Sequence, residues 1–230
     1  MEAGHAGLTF GFDLVGPEPG RRRGLVLKLA PPGVRRSGNT DVYRQAPLLR
    51  ALHAAGLPVP AVPYADPAES WFGAPFIVME RLAGLPFFVW KPDPAFERSA
   101  AAVTPLYEQT IAAMAAFHRF DWRRHLPDWE QPRALVDEVL RWNAILAKSP
   151  RSDWIESGRA VREQLLATRP DGAPIGLVHG DCQPGNALFD GGRLTGLIDW
   201  ELASIGSRRI DVGWMMMLAD RLSWPDDWRP

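Results

Sequence analysis

LVHGDCQPGNALFDGGRLTGLIDWELA, residues 177–203, is the stretch on which the reading of this chain turns. Three short apolar runs, Gly176 to Val178, Ala187 to Phe189 and Leu194 to Ile198, predict strands, and Gly191-Gly192 supplies the tight turn between the last two. Asp181 follows the first run and Asp199 the third, so both carboxylates stand at strand ends, 18 residues apart. Asn186 follows Asp181 by five residues with Pro184-Gly185 between them, a spacing that a tight loop closes. Three oxygen-bearing side chains can therefore share one pocket. Phosphoryl transfer needs such a set: hard oxygen ligands for Mg²⁺, neutralisation of phosphate charge, and a carboxylate to receive the proton of a nucleophilic hydroxyl.

Taken singly, these residues have plainer readings. An Asp behind a strand is often only a turn residue, and Lys28 alone reads as a solvent-facing residue on an edge strand. Cys182 lies in the same loop, but His179 is its only candidate activating partner, which gives a nucleophilic cysteine little support. His53 and His118 fall in apolar helical stretches and read as packing or surface residues; Trp142 and Trp214 read as core anchors.

Bulk composition narrows the classes. Among 230 residues, 26 basic side chains face 27 acidic ones, a formal net charge of −1, so no bulk field gathers nucleic acid or an anionic membrane. A hydrophobic fraction of 46% suffices for the core of one large domain or two lobes. Arg21-Arg22-Arg23, the local exception in charge, sits at the expected tip of a hairpin and reads as a solvated turn. The single cysteine excludes an intrachain disulfide framework and fits a reducing compartment. No apolar run approaches the roughly 20 residues that span a bilayer. A cytoplasmic protein without membrane or nucleic-acid partners is expected; the oligomeric state is not legible.

Along the chain, Leu8 to Val15 and Gly24 to Ala30 predict an antiparallel hairpin, with Lys28 interrupting the second strand. A helix is predicted from Asn39-Thr40-Asp41 to Gly56, with Leu48, Leu49 and Leu52 on its apolar face and Pro47 leaving its start ambiguous. Phe76-Ile77-Val78-Met79 predicts a strand, and Glu80-Arg81-Leu82-Ala83-Gly84 behind it predicts a lobe boundary. Helical periodicity then covers 104–120, 133–148 and 153–168 before the strands return.

His179-Gly180-Asp181 with Asn186, then Ile198-Asp199-Trp200-Glu201, Gly206 and Asp211, resembles the aminoglycoside phosphotransferase and choline kinase-like group of the protein-kinase-like fold. Gly73-Ala74-Pro75-Phe76-Ile77-Val78-Met79-Glu80-Arg81 and Asp199-Trp200-Glu201-Leu202-Ala203 look closest to the branch found with acyl-CoA dehydrogenases. The resemblance implies an α+β, bilobal fold: an N-lobe over 1–82 with an antiparallel sheet and one helix, and a mainly helical C-lobe over 83–230. It implies transfer of the γ-phosphoryl group of ATP, with Mg²⁺, to a hydroxyl of a small molecule: an aminoglycoside-like, amino-alcohol or hydroxyacyl compound. By position, Asp181 would be the catalytic base, and Asn186 and Asp199 the metal ligands. Lys28 would contact the α- and β-phosphates, and the backbone from Glu80 to Leu82 would be the hinge that meets adenine. Asp211 resembles the buried Asp that holds the catalytic loop, and His179 would brace that loop. The nucleotide-covering loop would fall at Gly4 to Phe10, where the glycines do not make G-x-G-x-x-G.

The pattern is broken in two places. Gln45 occupies the position of the helix glutamate that pairs with the strand lysine; a neutral hydrogen bond contributes about 1 kcal/mol against roughly 1.5–3 for one to a charged group. Asp41 could substitute if the helix includes both residues. The chain also begins inside the expected nucleotide loop and stops at Trp224 to Pro230, where this group continues with further helices, so truncation at both ends is expected. A nucleotide-binding pseudokinase or inactive fragment is therefore the alternative to an active kinase. A metal-dependent hydrolase is a third reading, but it lacks further histidines near the site.

Overall fold

The computed structural model describes residues 7–17, 20 and 22–223, with Arg221 described in its backbone only. The stretch Gly4 to Phe10 is thus described only from Gly7, and Arg21 and Trp224 to Pro230 lie outside the described residues. Near the N-terminus, β1 (Leu8–Val15) pairs antiparallel with β2 (Arg22–Leu29), β2 with β4 (Phe76–Glu80), and β4 with β3 (Tyr64–Asp66), in the order β1-β2-β4-β3. The period-two pleat sorts β2 into two faces. Leu25, Leu27 and Leu29 cluster with Phe76 and Val78 on one face. Val26 and Lys28, opposite Met79 and Ile77, point to the other.

On that second face lies α1 (Gln45–Ala54), whose Leu48, Leu49 and Leu52 are at most 1% exposed and share a core with Ile77. The helix begins later than Asn39 to Asp41 suggested, because two 3₁₀ turns, Gly38–Thr40 and Val42–Arg44, precede it. Asp41 is spent on the second turn, where its carboxylate accepts from the Arg44 N–H. Pro47 falls in the first turn of α1, whose N–H groups have no intrahelical partner anyway. Asp41 therefore belongs to the cap and not to the helix.

The rest of the chain is helical around two small sheets. β5 (Leu85–Pro86) pairs with β7 (Ala187–Asp190), which pairs with β8 (Arg193–Leu197); separately, β6 (Ile175–Val178) pairs with β9 (Ser204–Ser207), all antiparallel. The turn between β7 and β8 uses positive φ at both Gly191 and Gly192, as two-residue hairpins require. The helices are α2 (Ala100–His118), α3 (Trp122–His125), α4 (Leu135–Arg141), α5 (Asn143–Leu146), α6 (Ser152–Ala167) and α7 (Arg209–Ala219). α2 starts before Thr104 because the Ser99 hydroxyl accepts from the Ala102 N–H and caps it there. The single helix expected over 133–148 breaks at Trp142, after which Leu146 lies against Gly158 of α6.

One apolar cluster runs from Leu52 and Ile77 through Phe117 to Trp200 and Ile205, so the N-terminal sheet and the helical part share a core. The mixed α+β architecture agrees with expectation. No helix among the described residues is long and apolar enough to cross a membrane. Phe117 is the hub: 1% exposed, with ring contacts to His118, His179 and Trp200. Phe117→Ala should lower the unfolding free energy by about 3–5 kcal/mol in urea denaturation; a loss under about 1 kcal/mol would remove Phe117 from that position.

Candidate active site

The loop from His179 to Asn186 leaves β6 and ends in a 3₁₀ turn, Pro184–Asn186, that leads into β7. Gly180 permits its path: φ is +86°, and a Cβ there would lie 2.6 Å from the Leu202 carbonyl oxygen. The loop is held from beneath by Asp211, in the first turn of α7 and fully buried. Its Oδ2 accepts from the His179 backbone N–H at 2.9 Å, and its Oδ1 from that of Gly180 at 2.8 Å. His118 Nε2, from the last turn of α2, stands 2.9 Å from Oδ2. His118 is thus neither simple packing nor surface.

His179 is also fully buried, and burial lowers its pKa against the opposing pull of Asp211 and Asp181. The neutral ring fits its contacts: Nε2 donates to the Ile198 carbonyl at 3.0 Å, and Nδ1 accepts from the Asp181 N–H at 3.3 Å. Both nitrogens are engaged, so this histidine is not available to a metal.

Asp181 Oδ1 accepts from Gln183 Nε2 at 2.7 Å and from the indole N–H of Trp214 at 2.5 Å. Its Oδ2 accepts from Asn186 Nδ2 at 2.7 Å. A carboxylate offers about four lone-pair sites, so three filled ones leave a single opening, on Oδ2. Asn186 Nδ2 also donates to the Asp181 carbonyl at 2.9 Å, while its Oδ1 has no protein partner among the described residues.

The Ile198 peptide ties the second carboxylate to this loop. Its N–H donates to the Asn186 carbonyl at 2.8 Å, and its carbonyl receives His179. Asp199 comes next with φ 63° and ψ 57°, the one non-glycine residue of positive φ among the described residues. That conformation costs about 1–3 kcal/mol and is the kind of strain found at functional sites. Asp199 Oδ1 accepts from Lys28 Nζ at 3.2 Å, and Glu201 Oε2 accepts from the same ammonium at 3.0 Å. Gln45 is buried, and its Nε2 has no hydrogen-bond partner among the described residues. The hydrogen bonds of Lys28 go to Asp199 and Glu201 instead.

Burial alone would lower the Lys28 pKa, but Asp199 and Glu201 together outweigh it and raise the value. Glu201 is raised as well, by burial first and by the charge of Asp199, against the pull of Lys28. Two carboxylates about one ammonium account for the rise at Lys28, and burial leads the rise at Glu201. The three charges sum to −1, and Asp199 and Asn186 are hard oxygen donors, so the set fits Mg²⁺. No group of three His, Cys, Asp or Glu side chains that could hold a metal occurs among the described residues. Mg²⁺ needs none, being held usually by one or two carboxylates plus phosphate oxygens and water.

Among the remaining expected residues, Glu80 ends β4 with its N–H on the Ala61 carbonyl, and Leu82 packs against Gly196. Leu82 makes no backbone hydrogen bond among the described residues. Cys182 is buried and its thiol pKa is pushed far up by that burial, which rules out a resting thiolate. Glu201 and Gln183 are site residues to which the sequence assigned no role, while Trp214 was expected as a core anchor and His118 as packing or surface. Only Glu201 carried a signal, as part of Asp199-Trp200-Glu201.

Two outcomes follow. Asp211→Asn sets an amide N–H₂ against a backbone N–H donor and should lower stability by about 1.5–3 kcal/mol in urea denaturation; unchanged stability would refute the bracing role. For Glu201, the folded chain keeps the proton to higher pH than the unfolded chain does. Its contribution is therefore fully present below the ordinary carboxylate range and is lost as pH rises through the raised value. Glu201→Gln removes that slope, so unfolding free energies measured from about pH 4 to 8 should move in favour of the variant as pH rises.

The sequence matches the model of the phosphotransferase enzyme family (APH) over residues 14–230. It is 31% identical over 218 residues to an Arabidopsis thaliana protein described as "Probable acyl-CoA dehydrogenase IBR3", covering 84% of this chain and 24% of that one, so it spans about a quarter of that relative. It is 28% identical over 212 residues to the aminoglycoside 3'-phosphotransferase of Streptomyces fradiae, covering 86% of this chain and 70% of the other. The fold is similar to that of a thermostable mutant of aminoglycoside phosphotransferase APH(4)-Ia crystallised with ADP and hygromycin B, with a TM-score of 0.66, 18% identity, and 94% and 70% of the two chains covered. With the family model matched from β1 onward, this chain belongs to the phosphotransferase enzyme family, in its kinase-like fold.

Proposed function

We propose that this chain transfers the γ-phosphoryl group of ATP to a hydroxyl of a small molecule, with Asp181 as the base. The observation that carries the reading is the single lone-pair site left on Asp181 Oδ2. Three neutral N–H donors fix the carboxylate, and the opening that remains is where an acceptor hydroxyl would deliver its proton. Membership in the phosphotransferase family supports the reaction class, and the name of the Streptomyces relative supports a hydroxyl acceptor.

The nucleotide is assigned to the cleft between an N-lobe, 1–82, and a C-lobe, 83–230. Asn186 and Asp199 would hold Mg²⁺, and Lys28 would neutralise phosphate charge from β2. The backbone from Glu80 to Leu82, of which Leu82 makes no backbone hydrogen bond among the described residues, would receive adenine, and Gln45 would lie behind Lys28. When bound, Mg²⁺·ATP supplies the transferable group and screens its charge. The protein's own work is then positional: Asp211 fixes the loop, and Asp181 orients the hydroxyl and takes its proton. Use of ATP suits a cytoplasmic enzyme.

Asp181→Asn should reduce turnover by roughly 10²–10⁴ while leaving affinity for Mg²⁺ with a non-hydrolysable ATP analogue unchanged in calorimetry. Undiminished turnover would sink the mechanism. The neutral Gln45 favours the pseudokinase reading, which would be upheld by nucleotide binding without product across aminoglycosides, amino alcohols and hydroxyacyl compounds.

A further inference from the structure

We propose that Glu201 anchors Lys28 in place of a helix acid, so that the lysine is held from the loop after β8 and not from α1. The effect expected on nucleotide binding rests on the function proposed above. Position 45 cannot serve in charged form: Gln45 is 2% exposed and its Nε2 is unpartnered among the described residues. Lys28 Nζ instead reaches Glu201 Oε2 at 3.0 Å, closer than Asp199 Oδ1 at 3.2 Å. A second carboxylate has a physical purpose here. Asp199 can turn to a cation only if Lys28 keeps another counter-charge, and Glu201 supplies it.

The loop that bears Glu201 is itself clamped by the residue before α1. Arg44 donates from NH1 to the Glu201 carbonyl at 3.2 Å and from NH2 to the Ala203 carbonyl at 2.7 Å. Arg44 also pairs with Glu130 and lies 4.8 Å over the Trp129 ring, whose N–H donates to the Arg44 carbonyl at 2.7 Å. The start of α1 thus still governs Lys28, through Arg44, the backbone of 201–203, and Glu201. Glu201 is a positioning residue in this scheme, acting on phosphate through Lys28.

The test compares Glu201→Gln with Gln45→Glu/Glu201→Gln, using wild type as reference, thermal midpoints to verify folding, and two readouts. The first is calorimetric affinity for Mg²⁺ with a non-hydrolysable ATP analogue. Exchange of a charged for a neutral hydrogen-bond partner should weaken it about 3- to 30-fold in the single variant. The double variant, with its acid returned to α1, should recover most of the loss. The second, read without nucleotide, is the rate at which an amine-reactive acylating reagent modifies Lys28, followed by peptide mass spectrometry. That rate should rise several-fold in the single variant and fall back in the double one. A double variant no better than the single in both readouts overturns the anchoring role and leaves Glu201 to act elsewhere, as on the metal. Lys28 protection that follows Glu201 in a wild type that binds no nucleotide upholds the anchor and refutes the function beneath it. If Glu201→Gln does not fold, Glu201→Asp, shorter by one methylene, is compared with Gln45→Glu/Glu201→Asp in the same two readouts.

Discussion

A carboxylate buried without solvent must be repaid in hydrogen bonds, and Asp211 collects them from the one loop that has to be rigid. Two successive backbone N–H groups, those of His179 and Gly180, point at it, and the imidazole of His118 takes the remaining side. A loop left to itself would spread over many conformations, at a cost of about 1–2 kcal/mol for each residue fixed. Here the cost is offset by charge-assisted hydrogen bonds in a setting where water cannot compete. The positive φ of Gly180 is part of the same arrangement, because only that turn presents both N–H groups to one carboxylate.

From this fixed loop the second carboxylate takes its place. The Ile198 peptide spends its N–H on Asn186 and its carbonyl on His179, so Asp199 cannot move relative to Asn186 without breaking a hydrogen bond. The left-handed backbone at Asp199 is tolerable under that restraint, and Asp accepts it more readily than a branched residue would. From β2, Lys28 is drawn to two carboxylates whose charge it cannot cancel. Burial first, and then the charge of Asp199, raises the Glu201 pKa; with one ammonium against two carboxylates, the site holds one more negative charge than positive, a natural setting for a cation.

Much of this was legible because chemistry and periodicity coincided. The apolar run from Gly24 to Ala30, interrupted by Lys28, marked β2, and the glycine pair marked the β7–β8 turn. Asp181, Asn186 and Asp199 stood out because polar residues at strand ends are conspicuous. β5 and β9, with two and four residues, gave no such period, and Ser204-Ile205-Gly206-Ser207 reads as loop until it pairs with β6. Gln45 was noticed for the charge it lacks, but its lack of a partner, and the transfer of Lys28 to Glu201, depend on contacts between residues 173 positions apart. No local pattern encodes them.

α7 shows how far a linear reading reaches: the resemblance assigns Asp211 to the loop, but Trp214 reads only as a core anchor. Its sequence, Arg-Ile-Asp-Val-Gly-Trp-Met-Met-Met-Leu-Ala, suggests an ordinary apolar helix. Asp211 and Trp214 are three residues apart, however, and so lie on one face. The first takes the backbone N–H groups of His179 and Gly180 in the loop that follows β6, and the second gives its indole N–H to the Asp181 side chain. The backbone of the loop and the Asp181 carboxylate are therefore referenced to the same rigid element. A shift of α7 along its axis would carry both contacts together, which keeps the open lone pair of Oδ2 in a constant relation to the loop that carries it. The i, i+3 spacing converts a helix that looks like packing into the part that fixes the Asp181 carboxylate and the loop bearing it.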